Sequence, residues 1–281
     1  MTTYHRLNDC DGEQDQRTSP GHIGDMRLVG CWRLVVAGMI VRGSLSSARS
    51  TKTKPSINYI RSEIIDDYMA ARGKTLNIKD VFAWTIVTGS DCECRMLCWA
   101  HRKCKAVAVH ALPDAKDKNK CLLADHGPLT SKLLPDSTAY YFFWIDGIPG
   151  KYYGIFLDNL LYVELNEMTS WERAKELCAR IPGHRLAMYK TTTQQDIMME
   201  LYFKNPRKGM LINARKTSDG KDRVWGDKTK FSSLPKVKLM FIDAGMHRPV
   251  YTVFLSRIYG KEKSAGHDRV VCQANPRGVE W

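Results

Sequence analysis

A chain of 281 residues with 43% hydrophobic side chains is long enough for two domains with packed cores. Its formal charge of +13, from 43 basic and 30 acidic residues, suits anionic partners such as acidic glycans, membrane surfaces or acidic proteins, or a solvated basic surface with no dedicated partner. The basic residues are dispersed and no zinc-finger, helix-turn-helix or RNP-type pattern occurs, which argues against nucleic acid; no nucleophile elbow, P-loop, H-E-x-x-H or dinucleotide loop occurs, which argues against the common enzyme classes.

Residues 1–25 are polar and read as a disordered stretch. The only long apolar run, Leu28 to Val41, is too short to span a membrane and is interrupted by Arg33. From Met26 it offers three readings: a signal peptide with Ser46-Ser47-Ala48 as the small-residue cleavage site, a signal anchor, or a plain tail. Membrane contact follows only if residues 26–48 are an anchor. The Ser/Arg/Lys-rich stretch Ser44 to Lys54, ending at Pro55, reads as a linker that completes a tail over 1–58.

A first module spans 59–146. Asp80 to Val87 is strand-like, Asp91 to Trp99 helical, and Cys104 to His110, Lys120 to Leu123 and Ala139 to Trp144 are further strands. Four of the nine cysteines lie between Cys92 and Cys104, with another at Cys121. The clustering suits disulfides and an oxidising compartment. A zinc site with His101 and His110 is the competing reading, but the ligand spacings are not those of the strong zinc motifs. A catalytic pair of Cys92 with His101 is a third. No Asn-x-Ser/Thr acceptor occurs.

The second half is the more basic, with a net charge of +9 over 151–281 against +4 before it. In Thr169 to Cys178, the side chains Trp171, Ala174 and Cys178 are spaced to share one helix face. Thr169 or Ser170 starts this helix and Pro182-Gly183 stops it. Cys272 is the other cysteine beyond Cys121 and sits in a short strand, Arg269 to Gln273. A bond between Cys178 and Cys272 ties the start of a domain to its end; closing so long a loop is worth about 4–5 kcal/mol in the chain-entropy model.

This arrangement resembles the C-type lectin-like domain over 151–275, with 276–281 as a tail. The family's first-helix pattern W-x-x-A-x-x-x-C is matched by Trp171, Ala174 and Cys178. Its Gly-Gly-His-Leu-Ala turn is similar to Gly183 to Ala187. Its second helix falls near Thr193 to Leu201, with Thr193 and Asp196 spaced like a capping box. Its central strand and W-x-D-G turn correspond to Gly209 to Asn213 and Val224-Trp225-Gly226-Asp227, and its closing strand to Val270-Val271-Cys272. The first module resembles the PAN/apple module, from C-x-x-x-C on a helix followed by cysteine-bearing strands. That resemblance implies the pairs Cys94 with Cys121 and Cys98 with Cys104, although the residues alone permit other connectivities. Cys92 is extra to it: a free thiol, an alternative partner for Cys94, or a bridge to a disulfide-linked oligomer.

Sugar-binding members of the lectin-like family hold Ca²⁺ through an E-P-N or Q-P-D loop and a W-N-D strand. Here Pro235 is flanked by Leu234 and Lys236, Arg248-Pro249-Val250 has no oxygen ligands, and no W-N-D occurs, so the converging oxygens calcium needs are missing; Asp227 and Asp243 stand alone. The cysteines that brace the family's long loop are missing too. What remains is a basic loop surface bearing Lys228, Lys230, Lys236, Lys238, Arg248 and Arg257, with Trp171, Ala174 and Trp225 as structural core. The expected fold class is therefore α+β in two small disulfide-stapled modules: a helix on an antiparallel sheet, then two helices with small mixed sheets and long loops. The expected protein is secreted or membrane-anchored on the extracellular face, non-catalytic and without cofactor or metal. It would recognise an anionic carbohydrate without the usual calcium site, or else act in protein–protein adhesion.

Overall fold

The computed structural model describes residues 57–60, 67–113, 115, 118–206, 208–219, 221–233, 241–242, 250–254, 257–261, 268–279 and 281. The proposed signal peptide or anchor and its linker lie outside these residues, as does most of the loop expected between Ser232 and Arg257.

The first half begins with β1 (Asn58–Ile60), β2 (Tyr68–Leu76) and β3 (Ala83–Thr88). It continues with α1 (Asp91–Ala100), β4 (Ala106–Ala111), β5 (Lys118–Ala124) and β6 (Leu133–Trp144). The strands form one sheet in the order β1-β2-β6-β4-β5-β3, antiparallel at every pairing. Strand alternation makes the sheet two-faced. Tyr68, Ala70, Val107, Val109, Leu123, Phe142 and Trp144 point to one face, where Cys94 and Cys98 of α1 meet them. Cys94 bonds Cys121 on β5 and Cys98 bonds Cys104 just ahead of β4, which fixes the helix to the sheet at two points. Arg95 is 1% exposed in this layer, its guanidinium 5.4 Å from the Phe142 ring centroid and 3.9 Å from Asp91.

The second half runs β7 (Gly150–Ile155), β8 (Leu161–Thr169), α2 (Trp171–Arg180), β9 (His184–Leu186), α3 (Thr192–Phe203), β10 (Met210–Lys216) and β11 (Arg223–Trp225). It closes with β12 (Phe241–Ile242), β13 (Val250–Phe254), β14 (Arg257–Lys261) and β15 (Asp268–Ala274). These strands make a second, mixed sheet, β12-β14-β13-β10-β15-β8-β7, with β11 on β10 and β9 on β15. Ser170, not Thr169, caps α2, accepting from the Arg173 amide. The cap of α3 is Thr191, two residues ahead of the expected Thr193. Its hydroxyl accepts from the Gln194 amide at 3.2 Å, while Gln194 Oε1 accepts from the Lys190 amide at 2.7 Å. Gln194 can reach back over the helix start, so this reciprocal pair fixes the entry where the Thr193–Asp196 spacing suggested another.

The two halves are not independently cored. Met69, Ala71, Ala108, Leu122, Tyr141 and Phe143 on the second face of the first sheet belong to the same hydrophobic cluster as Leu161, Val163, Leu165, Trp171, Leu177, Val270 and Cys272. Tyr59 of β1 stacks on Tyr152 of β7 across the join, with ring centroids 6.4 Å apart. The opposite face of the second sheet carries its own core, in which α3 contributes Ile197, Met198, Leu201 and Tyr202. The layers are thus α1, first sheet, shared core with α2, second sheet, α3. Residues 276–281 depart from the expected tail. Val279 and Trp281 pack against the α3 core, Arg185 lies 3.5 Å over the Trp281 ring, and Asn275 pairs with the Val279 backbone.

A buried ion pair locks α3 to the sheet. Arg269, 3% exposed at the side chain, gives Nε to Glu164 Oε1 at 2.5 Å and Nη2 to Oε2 at 2.7 Å. Its remaining N–H groups reach the carbonyls of Leu201, Tyr202 and Asn205 at 3.0–3.2 Å. Leu201 and Tyr202 lie in the last turn of α3 and Asn205 just beyond it, where carbonyls run short of intrahelical donors; the Tyr202 carbonyl also accepts from the Asn205 amide at 3.0 Å. Removing one partner of such a pair leaves a buried, uncompensated charge. Glu164→Gln should therefore lower the unfolding free energy by about 3 kcal/mol, and Arg269→Met by more because the carbonyls of Leu201, Tyr202 and Asn205 each also lose a charged donor; urea midpoints compared with wild type measure both.

Candidate functional site

The expected lectin-like frame comes from residues far apart in sequence. Trp171 opens α2, donates Nε1–H to the Ile212 carbonyl of β10 at 2.9 Å, and is 4% exposed. One and two turns on, Ala174 and Cys178 are fully buried, and Cys178 is bonded to Cys272 of β15. Trp225, also fully buried, ends β11 between Tyr189 and Phe231, at ring-centroid distances of 5.0 and 4.4 Å. Neither tryptophan is a surface platform for a sugar.

The turn after Trp225 carries the residues nearest the expected site. Gly226 sits under Asn213: its amide donates to the Asn213 carbonyl at 2.8 Å, and a Cβ there would meet the Asn213 side chain at 2.0 Å. Asp227 accepts from Lys190 Nζ at 2.7 Å and from the Thr229 amide at 3.0 Å. Burial raises its pKa, but these hydrogen bonds outweigh it and hold the carboxyl below the usual range. The one carboxylate in this turn is thus neutralised by a lysine of the α3 entry. Lys228 follows in the left-handed region at φ 71° and is exposed, as is Lys230, which bridges to Val224. Arg257 begins β14, opposite Phe254. Lys236, Lys238, Arg248 and Asp243 lie outside the described residues. Among the described residues no group of three or more His, Cys, Asp or Glu side chains is placed to hold a metal.

In the first half the cysteine cluster is consumed by disulfides. Cys92 is disulfide-bonded as well, and the other described cysteines are paired among themselves, so its partner lies outside the described residues. It is therefore neither the free thiol nor the Cys94 partner considered above, and it cannot act as a thiolate nucleophile beside His101. His101 instead packs on the Phe82 ring at 4.7 Å.

His110, considered above as a zinc ligand, has both ring nitrogens occupied. Nε2 is 2.7 Å from Thr75 Oγ1 and Nδ1 is 3.2 Å from Asp136 Oδ2. With Nδ1–H donating to the carboxylate, Nε2 accepts from the threonine hydroxyl. The order hydroxyl–imidazole–carboxylate is that of a nucleophilic relay. Here the hydroxyl is 8% exposed, and the three residues join β2, β4 and β6 just past the bulge at Gly73, so the relay fastens strands. Sequence reading missed it because its members are 35 and 26 residues apart.

A second histidine bears on pH. His184 on β9 is 7% exposed; Nδ1 donates to the Pro182 carbonyl at 2.9 Å, and Nε2 is buried with no hydrogen-bond partner among the described residues. Burial pushes its pKa down to about 4, against a smaller upward effect of the Pro182 bond. Burial also lowers that of His110, partly offset by Asp136.

No protein-family model and no curated protein matches the chain. Among solved structures it is similar to the C-type lectin domain of murine dendritic cell inhibitory receptor 2 in complex with N-glycan, at 18% identity and a TM-score of 0.35, over 41% of this chain and 90% of that one. It is also similar to the C-type lectin CEL-I from Cucumaria echinata, at 14% identity and 0.34, over 41% and 89%. A third is the cow C-type carbohydrate-recognition domain of CD23 in the presence of GlcNAc2Man3 oligosaccharide, at 16% and 0.33, over 41% and 86%.

Burial holds both histidines below the ordinary histidine range in the folded chain, whereas they titrate near 6.5 when unfolded. As pH falls below 6.5 the unfolded state takes up protons the folded state refuses, so stability present above 6.5 is lost on the way down, for His184 by about pH 4. His184→Asn keeps a donor for Pro182 but does not titrate. It should remove roughly 3 kcal/mol of the acid loss, read as a flatter dependence of the urea midpoint on pH between 6.5 and 4.

Proposed function

We propose that this is a non-catalytic extracellular recognition protein in which a lectin-like domain, preceded by a PAN/apple-like module, binds anionic carbohydrate by charge and hydrogen bonding, without calcium. The observation that carries the reading is the turn at Asp227. Its carboxylate is tied to Lys190 at 2.7 Å, and the turn presents Lys228 to solvent. Calcium needs several converging oxygens; a lysine-presenting turn in a half of net charge +9 attracts sulfate or carboxylate instead. The lectin-like framework supports a binding role: Cys178–Cys272 and Trp171 brace a sheet from whose edge the loop-bearing strands β12 to β14 extend. The stapled helix of the first half supports the PAN/apple-like reading, and three disulfides among the described residues support an oxidising, extracellular setting. No helix among the described residues is long and apolar enough to cross a membrane.

A second reading, adhesion to another protein, has an observation of its own. The edge strand β3 and the residue before it expose Phe82, Trp84 and Ile86 at 38%, 61% and 49%. Alternate side chains share a strand face, and a row of exposed large apolar groups on a strand that ends the sheet among the described residues suits a protein ligand better than a sugar acid.

Binding to an array of neutral, sialylated and sulfated glycans distinguishes the two. The first reading expects acidic glycans to be retained in EDTA and released by salt, with Lys228→Gln/Lys230→Gln binding more weakly by about threefold to tenfold. Loss of binding in EDTA would overturn the calcium-free mode, and a blank array with capture of one defined protein through the β3 face would favour adhesion.

A further inference from the structure

Where the two halves meet, the end of α2 faces the loop that leads into β6, and a cleft of about 490 Å³ opens between them. Its walls come from both halves: Lys74 of β2 with Thr130, Ser131 and Lys132 on one side, and Arg180 with Pro182 on the other. Lys74, Lys132 and Arg180 are exposed, and none has a carboxylate partner among the described residues. Some surface cations elsewhere pair with acids: Lys190 with Asp227, Lys204 with Glu200, Arg173 with Glu167 and Glu176. Asp80 touches this region through the Lys132 backbone amide, at 3.0 Å, and so takes a donor from the loop without pairing the lysine's charge.

The wall is held in place by its own hydrogen bonds. Thr130 Oγ1 donates to the Gly127 carbonyl at 3.2 Å and Ser131 Oγ to the His126 carbonyl at 3.3 Å. Those hydroxyl protons are thus used within the loop, and what faces the cleft as free donor capacity is cationic. Arg180 Nη1 reaches the Leu129 carbonyl at 3.5 Å, a long contact that spans the two halves and leaves the rest of the guanidinium fork available. A planar fork with two ammonium groups around one concavity is the donor set for a tetrahedral or planar oxyanion. The volume falls within the range of small-ligand sites and fits a sugar residue or two, more than a bare ion needs.

We infer that this cleft binds the sulfate or carboxylate group of an acidic saccharide, held by Lys74, Lys132 and Arg180, so that neither half makes the site alone. The saccharide as carrier rests on the carbohydrate reading above; the oxyanion site rests on the cleft itself.

The test uses the full chain with two probes. In the first arm, inorganic sulfate is titrated while the amide resonances of residues 130–132 are followed by NMR. In the second, a heparin-derived tetrasaccharide is titrated by calorimetry into wild type, into Lys74→Gln/Lys132→Gln/Arg180→Gln, and into Lys228→Gln/Lys230→Gln. All three replaced side chains of the cleft variant are exposed, and an unchanged urea midpoint verifies its fold. The expected result is saturable sulfate shifts at 130–132 and at least about tenfold weaker tetrasaccharide binding in the cleft variant, with a smaller loss in the turn variant. Sulfate shifts without tetrasaccharide binding would uphold the oxyanion site and overturn the carbohydrate reading. Tetrasaccharide binding lost only in the turn variant would uphold the carbohydrate reading and overturn the cleft. Absence of both signals overturns both.

Discussion

The second half of the molecule depends on one constraint: β15 is buried on both faces along all seven residues. Its side chains must serve two cores at once. Val270, Cys272 and Ala274 enter the core shared with the first sheet, while Val271 enters the core under α3. Apolar residues meet that demand at four of the seven positions. Two of the polar ones, Arg269 and Gln273, are tolerated there because their side chains are engaged. Arg269 pairs bidentately with Glu164 and collects carbonyls at the end of α3; Gln273 binds Tyr162, Arg185 and both backbone groups of Met188. The disulfide to Cys178 then fastens α2 to the same strand. Helix, sheet and chain end are thereby referred to a single line of backbone.

The same logic extends through the join. A sheet whose two faces are both apolar has to be covered twice. The first sheet is covered on one face by α1, held by two disulfides, and on the other by the core it shares with α2 and the second sheet. The halves are therefore fixed with respect to each other by apolar burial and not by a linker, which is what gives a cleft at their boundary a defined shape. Charge at that boundary can be arranged for a ligand because it is not needed to hold the boundary together.

Much of this was legible in the residues, and the parts that were not share a reason. The period of Trp171, Ala174 and Cys178 revealed the buried face of α2, since helical spacing is local. The residues Ala139 to Trp144 announced a strand but not that both of its faces would be covered, because that depends on what arrives from outside the strand. The role of Cys92, the start of α3 and the packing of residues 276–281 were not legible, because in each case a local rule had several solutions. Thr191 and Thr193 are both competent caps, and a polar chain end packs only if an Arg185 stands near enough to lie over its tryptophan.

For the candidate site the division is sharper. Composition alone determined that the second half is basic, and residue spacing made a Cys178–Cys272 staple an expectation that the structure bears out. Only the tertiary structure decided that Asp227 is held by Lys190, that Thr75, His110 and Asp136 form a chain across three strands, and that Lys74, Lys132 and Arg180 share one cleft. Local patterns follow from backbone geometry, which repeats over a few residues. Electrostatic neighbours follow from packing, which brings together side chains that the sequence separates by as many as 106 positions.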